Sequence, residues 1–280
     1  MIITINEKIL KTVYKKRENW SHKGNFGKIL VIGGSYKYTG SPALVGLSAL
    51  RAGADSVKII APKRSADVCA NVSPELITIP YEKDLLDLNA MEIVRTELNW
   101  ASVLTIGNGI GTGEEQRSFV NTLVSENRKP IVIDADGIKL LNKELLNDSM
   151  IITPNTYEFN LLFSTSIGSD ISERIRIVSE KARDFNTNIL LKGHIDIISN
   201  GKDTFINKAN SVYMTKAGTG DTLTGILAGL IGQKNKIIDA ACAAAFINGY
   251  TGRSIAKIKR EALSPLDIIN NLYSTIVKWR

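Results

Sequence analysis

Short apolar runs alternate with longer helix-like segments along most of this sequence. The apolar runs consist mainly of Val, Ile and Leu and show no alternation of apolar and polar positions, which is typical of strands buried on both faces. Predicted strands occupy residues 28–32, 56–60, 102–106, 130–133, 150–153 and 189–191, with 76–79 as a further candidate.

The segments between these strands predict helices at residues 42–52, 85–98, 114–125, 155–163, 172–185, 221–231, 236–257 and 265–279. Asn200-Gly201 separates two further strand-like runs, 195–199 and 204–206, and predicts a hairpin. The alternation of strands and helices predicts an α/β fold with a mostly parallel central sheet and helices on both faces. Because no linker or repeat interrupts the pattern, we expect one three-layer domain over residues 1–280.

Charge and composition narrow the possible partners. Lys and Arg exceed Asp and Glu by 35 − 28 = 7, and the positive residues are spread along the chain. This excess suits an anionic substrate such as a nucleotide, although it suits plain solubility equally well. Aromatic residues make up only 6% of the chain, which weakens the case for base stacking, so we expect no nucleic-acid partner.

Nothing in the sequence indicates secretion or a membrane partner. The first residues lack the apolar core of a signal peptide, and no apolar run reaches the roughly 18 residues that span a bilayer. Cys69 and Cys242 lie far apart among small apolar residues, which favours buried, inert thiols. We therefore expect a cytoplasmic protein.

The residues that carry unusual chemistry follow the predicted strands. These positions are Gly33-Gly34-Ser35, the glycine-rich turn 107–111, Asp134 to Asp136, Thr153 to Asn155, and Lys192-Gly193. In open parallel sheets, ligands bind beyond the carboxyl ends of the strands. The agreement between topology and residue type therefore predicts a ligand site at this edge of the sheet.

The segment before the predicted helix at 221 has the character of a phosphate cradle. With no bulky side chains at Ala217, Gly218 and Gly220, backbone N–H groups can converge on an anion at the helix N-terminus. Asp221 then has two interpretations: a carboxylate that stabilises the helix dipole, or a general base beside the anion site. The segment lacks the Gly-Lys-Ser/Thr ending of a Walker A loop.

Other polar residues leave alternatives open. Asp134 and Asp136 could hold Mg²⁺ through water or could cap the next helix. Glu158 could complete a capping arrangement with Asn155 or belong to a metal shell, and for all three acids we favour the structural role. The turn at residues 107–113 could approach a ligand or simply join strand to helix.

Taken together, these segments resemble the NAD(P)H-hydrate dehydratase family of the ribokinase-like superfamily. The resemblance covers roughly residues 20–255, and the ordered set of motifs is far more specific than any one of them. The matching stretches are 21–28, 31–35, 39–43, 49–54, 72–76, 107–111, 132–137, 152–159, 190–193 and 217–221.

The resemblance implies the repair of NADHX and NADPHX, the hydrated forms of the reduced nicotinamide cofactors. A nucleotide, ADP or ATP with Mg²⁺, phosphorylates the ring hydroxyl, and phosphate then leaves to restore NADH or NADPH. With ADP the other products are AMP and phosphate. The resemblance also implies a homo-oligomer, with a tetramer as one option.

The family pattern implies a role for individual residues. It places the catalytic base on Asp221 and the anion hole on Ala217, Gly218, Thr219 and Gly220. It places nucleotide contacts on Lys192, Gly193, His194, Ile195, Asp196 and Gly220. It places contacts to the dinucleotide hydrate on Ala43, Gly109, Gly111, Asn155 and Asp221, and it leaves the metal ligands unassigned.

Two departures from the family pattern bear on this interpretation. The family usually has histidine where this chain has Asn155, and asparagine can form hydrogen bonds but cannot titrate near neutral pH. Many prokaryotic members carry a fused N-terminal epimerase domain, whereas only about twenty residues precede the match here. We therefore expect the epimerase to be a separate protein.

Two other functions remain in view. A kinase of the same superfamily, acting on a vitamin-precursor alcohol such as hydroxyethylthiazole or hydroxymethylpyrimidine, shares the glycine-rich turn and its aspartate. A nucleotide-binding subunit without activity would keep the turn and lose the base, yet Asp221 is present.

Overall fold

A ten-stranded sheet runs through the centre of the computed structural model, which describes residues 2–279. The strands are β1 (Ile2–Thr4), β2 (Lys28–Ile32), β3 (Ser56–Pro62), β4 (Leu76–Tyr81), β5 (Val103–Ile106), β6 (Ile131–Ile133), β7 (Met150–Ile152), β8 (Asn188–Leu191), β9 (Asp196–Ser199) and β10 (Thr204–Asn207). Their order across the sheet is β1-β10-β9-β8-β7-β6-β5-β2-β3-β4. Strand β9 is antiparallel to β8 and β10, and all other neighbouring strands are parallel.

Helices cover both faces of the sheet. They are α1 (Ile9–Val13), α2 (Ser41–Arg51), α3 (Lys63–Val72), α4 (Met91–Leu98), α5 (Glu114–Glu126), α6 (Asp136–Leu140), α7 (Thr156–Phe163), α8 (Ile171–Asp184), α9 (Thr219–Gly232), α10 (Ile237–Lys259) and α11 (Pro265–Trp279). One buried core contains residues of α1 to α3 and α9 to α11, and a second contains residues of α4 to α8. The predicted three-layer α/β architecture is confirmed.

The continuous apolar runs are explained by burial on both faces. In β2, Ile29 and Val31 belong to one core, whereas Leu30 and Ile32 belong to the other. All four side chains are at most 1% exposed. Burial of each such side chain stabilises the folded state by about 1.5–3 kcal/mol. An apolar residue is therefore favoured at every position of a central strand, and not only at alternate ones.

Helix α9, whose first residues belong to the predicted phosphate cradle, lies against the backbone of α2. A Cβ atom at Gly225 would come within 2.1 Å of the carbonyl oxygen of Val45. Only glycine permits so close an approach, and the buried faces of the two helices are apolar. The position of α9 along the sheet edge is therefore set by its packing on α2.

Four elements escaped prediction: β1, α1, α3 and α6. The predicted hairpin is present, with Gly201 in the left-handed region at φ 82° between β9 and β10. Cys69 and Cys242 are buried and free, and burial raises the pKa of the Cys69 thiol to about 11, as expected of inert thiols. Within residues 2–279, no helix is both long and apolar enough to cross a membrane.

Candidate active site

Four chain segments meet at the carboxyl edge of the parallel strands. Asn108 lies two residues after β5, Asp134 directly follows β6, and Lys192 directly follows β8. The first turn of α9 brings Gly220 and Asp221 to the same place. The predicted grouping of strand-end chemistry is therefore present at a single edge.

A cavity of about 540 Å³ opens beside the start of α9. Five of the residues with predicted nucleotide contacts line it: Lys192, Gly193, His194, Asp196 and Gly220. The apolar side chains of Val212, Met214 and Leu223 form another part of its wall, as does the amide of Asn248. The cavity therefore combines a charged end with an apolar end, a division that suits a nucleotide.

The charged end of the cavity is the N-terminus of α9. Gly218 precedes the helix at φ 95°, and no side chain caps the first turn. Thr219 and Gly220 line the cavity, and the Thr219 hydroxyl donates back to the carbonyl oxygen of Met214 at 2.8 Å. The first-turn N–H groups of a helix have no intrahelical partner and carry partial positive charge, so this end of the cavity is suited to an anion. Ala217 and Gly218 lie in the preceding turn and do not line the cavity.

Lys192 and Asp134 form an ion pair behind this helix end, with Asp134 buried and the Lys192 side chain 20% exposed. Nζ of Lys192 lies 2.6 Å from Oδ1 of Asp134 and 3.8 Å from Oε2 of Glu158. Burial alone would raise the pKa of Asp134, but Lys192 outweighs it, and hydrogen bonds from Lys192 and Thr224 add to the effect, so the pKa lies below its usual range. For Lys192 the same pairing outweighs burial and raises the pKa, so both groups are charged at neutral pH.

The pKa of Asp221 is shifted in the opposite direction to that of Asp134. Burial raises its pKa to about 6 from the ordinary 3.8, and the negative charge of Asp134 adds to this effect. Hydrogen bonds with Asn108 and Ser41 offset part of the increase. A carboxylate with a pKa near 6 is mostly ionised at pH 7 and is still a useful proton acceptor. The first-turn position fits a helix-stabilising role as well, but the raised pKa is what a general base requires.

The Asn108 amide joins the two carboxylates. Its Nδ2 donates to Oδ1 of Asp221 at 2.7 Å and to Oδ2 of Asp134 at 2.9 Å. Thr224 donates its hydroxyl to the same Asp134 oxygen at 2.7 Å. These contacts connect the predicted base to the Lys192 ion pair.

The predicted substrate residues separate into two groups. Ser41 Cβ lies 3.5 Å from the point where a Cβ would stand at Gly109, and Ser41 forms a hydrogen bond with Asp221, so Gly109 lies near the predicted base. Ala43 lies in the first turn of the same helix as Ser41 and is buried. Gly111 lies further along the turn, where its N–H donates to Oδ2 of Asp136 at 3.1 Å. Asn155 instead lines the 540 Å³ cavity, together with the residues that have predicted nucleotide contacts.

The Asp196 side chain forms its hydrogen bonds with neighbouring residues of the protein. Its carboxylate accepts hydrogen bonds from the Gly193 N–H at 3.0 Å and from the amides of Asn207 and Asn210 at 2.9 Å each. Asp196 is buried, and burial raises its pKa. The turn that carries His194 and Ile195 is therefore fixed from inside, and His194 is exposed at the cavity rim.

The candidate magnesium residues have other partners. Glu158 and Asn155 form a capping box at the start of α7, with hydrogen bonds of 2.8 and 2.9 Å, as the structural interpretation predicts. Asp136 lies in the first turn of α6 and pairs with Lys139 at 2.8 Å. Both oxygens of Asp134 are occupied, and residues 2–279 contain no group of three metal-ligating side chains.

Sequence reasoning did not single out Asn108, Ser41 or Asn248. Asn108 lies inside the glycine-rich turn 107–111, whose pattern is defined by its glycines, so no local signal marks the asparagine. Asn248 lies in the middle of α10, accepts a hydrogen bond from Thr222 at 2.7 Å and reaches the cavity from another part of the chain. A polar asparagine within an alanine-rich, apolar helical segment is the sequence signal that could have indicated Asn248.

The fold and this site define an α/β protein of ribokinase-like fold, with a cavity suited to an anion beside a carboxylate of raised pKa. A ribokinase-like superfamily protein from Enterococcus faecalis superimposes with a TM-score of 0.88, at 22% identity over 99% of this chain and 96% of the other. A family model described as NAD(P)H-hydrate dehydratase matches residues 29–273. The chain belongs to the NAD(P)H-hydrate dehydratase family.

Individual relatives agree with this family. The ADP-dependent (S)-NAD(P)H-hydrate dehydratase of Nitrosopumilus maritimus is 34% identical over 98% of this chain and 96% of its own length. The ADP/ATP-dependent NAD(P)H-hydrate dehydratase of Bacillus subtilis, co-crystallised with ATP and Mg²⁺, has a TM-score of 0.82 at 22% identity, with 99% of each chain covered. The chain spans about half the length of the curated relatives described as bifunctional NAD(P)H-hydrate repair enzymes.

Proposed function

We propose that this protein dehydrates the S form of NADHX and NADPHX to NADH and NADPH, with ADP as the phosphoryl donor. The observation that carries the proposal is the position of Asp221. Its carboxylate, with a pKa of about 6, lies in the first turn of the helix whose N-terminus closes the 540 Å³ cavity. A base and an anion site one residue apart suit phosphoryl transfer to an alcohol. The relative of near-equal length from Nitrosopumilus maritimus, which is named for this reaction, supports the choice of substrate.

In the first step, Asp221 accepts the proton of the ring hydroxyl of the hydrate. The hydroxyl oxygen attacks the β-phosphorus of ADP, the bond from that phosphorus to the bridging oxygen breaks, and AMP leaves with the electron pair. Charge develops on the transferred phosphoryl oxygens, where the amides at Thr219 and Gly220 and the ammonium of Lys192 stabilise it. Positioning and electrostatics of this kind supply most of the catalysis in such transfers.

In the second step, the phosphate ester is eliminated. The ring nitrogen donates its lone pair as the carbon–oxygen bond breaks, phosphate leaves with that bond's electrons, and loss of a ring proton restores the dihydropyridine. Phosphate is a far better leaving group than hydroxide, which is why a phosphoryl bond accelerates an otherwise slow dehydration. The overall products are NADH or NADPH, AMP and phosphate.

The residues that would hold the nucleotide follow from the cavity wall. Lys192 and Gly220 contact the phosphates, and the wall of Val212, Met214 and Leu223 holds the adenine. Mg²⁺ would supply counter-charge to the nucleotide phosphates. ATP serves as an alternative donor. A homo-oligomer, a cytoplasmic location and an epimerase that supplies the S form complete the proposal.

The test is an assay of purified protein with chemically hydrated NADH and ADP. We expect a return of absorbance in the reduced-cofactor band, with one AMP and one phosphate released for each NADH formed. Omission of ADP is the matched control and abolishes the signal. Consumption of ATP only in the presence of a hydroxyethylthiazole or hydroxymethylpyrimidine alcohol would identify a vitamin kinase instead. Nucleotide binding without turnover of any of these compounds would indicate a binding subunit.

A further inference from the structure

We propose that Asn108 is a positioning residue that clamps the Asp221 carboxylate in one orientation and ties it to the Asp134–Lys192 ion pair. The proposal rests on the proposed function only in taking Asp221 as the base. It begins from the two hydrogen bonds that the Asn108 amide donates, at 2.7 Å to Asp221 and at 2.9 Å to Asp134.

The orientation of the Asn108 amide is fixed by charge. An asparagine NH₂ group carries two hydrogens and its carbonyl oxygen carries none. Both hydrogens face carboxylate oxygens here, whereas the reversed amide would direct its carbonyl oxygen at two carboxylates. Since that reversal is strongly unfavourable, the side chain of Asn108 has a single acceptable orientation, and Oδ1 of Asp221 is held by it.

The clamp has an energetic cost that a purely structural asparagine avoids. Oδ1 of Asn108 is buried and has no hydrogen-bond donor among residues 2–279. Buried acceptors normally find a partner, so an unsatisfied one requires an explanation. Asn207 offers the contrast within this chain: its Nδ2 donates to Asp196 and to the carbonyl of Ala245, and its Oδ1 accepts the N–H of Ala209. Asn207 satisfies both ends of its amide, and Asn108 satisfies only the end that faces the carboxylates.

The clamp also moderates the repulsion between the two acids. The negative charge of Asp134 opposes ionisation of Asp221, and the Asn108 amide hydrogens lie between the two groups. Lys192 binds the opposite oxygen of Asp134, so the three side chains form a continuous path from the anion site to the base. Removal of the amide leaves Asp221 without this donor and exposes it to more of the Asp134 charge.

The test replaces Asn108 with leucine, which has a similar size and no donor. The pKa of Asp221 is measured by carbon-13 NMR of the protein carboxyl groups, assigned with the Asp221→Asn variant. We expect Asn108→Leu to raise that pKa by about one pH unit or more, the size of one lost hydrogen bond to a carboxylate. In the dehydratase assay the acid limb of the kcat profile moves up by the same amount, kcat at pH 5 falls about tenfold, and KM for ADP stays within about threefold.

Two further variants keep the test decisive. Asn188→Leu removes another buried amide that donates twice, to the carbonyl oxygens of Asp148 and Met150, and it leaves the pKa of Asp221 unchanged. Asn108→Ser keeps one donor for two carboxylates and gives a smaller increase, which provides a second reading if the leucine variant does not fold. An unchanged Asp221 pKa in a folded Asn108 variant overturns the clamp. Absence of dehydratase activity in the wild-type protein would refute the proposed function, and the NMR comparison would still decide the role of Asn108.

Discussion

Lys192 and buried Asp134 form the ion pair at the centre of the candidate site, with 2.6 Å between Nζ and Oδ1. The same ammonium lies 3.5 Å from the point where a Cβ atom would stand at Gly220. One positive charge therefore serves both the buried carboxylate and the anion end of the cavity.

The first prediction concerns the stability of this pair. Lys192→Met leaves Asp134 buried without its counter-charge, which costs about 3–5 kcal/mol in the free energy of unfolding at pH 7. Urea unfolding measures the loss. The lowered pKa of Asp134 in the wild-type protein stabilises the fold above the unfolded pKa, and this contribution disappears as pH falls through the folded value. The deficit of the variant therefore shrinks in acid.

A paired replacement provides the control for this prediction. Lys192→Met with Asp134→Asn removes both charges and recovers most of the lost stability, because no unpaired charge remains. Equal instability of the single and double variants would show that Lys192 stabilises the fold by packing rather than by charge.

The second prediction concerns catalysis by Asp221. Asp221→Asn keeps ADP binding, measured by calorimetry, and lowers kcat about 10²- to 10⁴-fold, since an amide cannot accept the hydroxyl proton. Asp239→Asn is the matched control, because Asp239 is also the acidic residue in the first turn of a helix, α10. If both variants turned over at near-normal rates, Asp221 would be only a helix-stabilising carboxylate.

The third prediction is that Asp221→Asn stabilises the protein at neutral pH. The folded pKa of about 6 lies above the ordinary 3.8, so the folded state binds a proton more tightly than the unfolded chain. Stability contributed by this group is present below pH 4, decreases as pH rises to 6, and is then constant. We expect the variant to gain about 1–3 kcal/mol at pH 7.5.

Thermal unfolding at several pH values measures the gain. The difference between the variant and the wild-type protein should shrink steadily between pH 6 and pH 4. A difference that is independent of pH would contradict a raised pKa for Asp221.

The fourth prediction separates two glycines of the cradle. A Cβ at Gly220 meets Lys192 Nζ at 3.5 Å, an ordinary contact, but it would enter the proposed anion site. Gly220→Ala therefore raises KM for ADP at least tenfold with little change in the melting temperature. Gly218 has φ 95°, and a Cβ there would lie 2.7 Å from Pro265 and 2.8 Å from Leu44, so Gly218→Ala destabilises the fold by about 2 kcal/mol or more. Reversal of the two outcomes would contradict the assignment.

The fifth prediction concerns the departure from the family pattern at Asn155. Its side chain is exposed and caps α7 by accepting the Glu158 N–H at 2.9 Å. Asn155→His keeps activity within about threefold and costs about 1 kcal/mol of stability, because the cap is lost. Steady-state kinetics and urea unfolding measure the two effects. Loss of dinucleotide binding would show that this position contacts substrate in another way.

The sequence predicted most of the fold because the buried strands are continuous apolar runs. The bounds of β2 and α11 agree with the predicted residues 28–32 and 265–279. Helix α3 escaped prediction because it follows β3 without a gap, and its N-cap residue Pro62 offers no capping side chain. The three-residue strand β1 is too short to show a pattern, and its pairing with β10 joins segments about 200 residues apart.

The sequence indicated those candidate residues that follow a strand or precede α9. It did not indicate the contacts that form between residues distant in the chain. The residues that line the 540 Å³ cavity could be predicted in part because Lys192 and the glycines before α9 have local signals. The Asn108 contact to Asp221 joins residues 113 positions apart, and no local pattern encodes it. The raised pKa of Asp221 likewise follows from burial near Asp134, which only the folded chain creates.

The close packing of α9 on α2 affects how variants would be interpreted in an activity screen. A larger residue at Gly225 would push the helix away from the Val45 carbonyl, and the helix carries Asp221 one turn earlier. Such a substitution would withdraw the carboxylate from Asn108 without altering any ligand contact. In a screen of random variants for activity, substitutions at the contact between α9 and α2 would thus abolish turnover, although these positions touch neither substrate nor nucleotide.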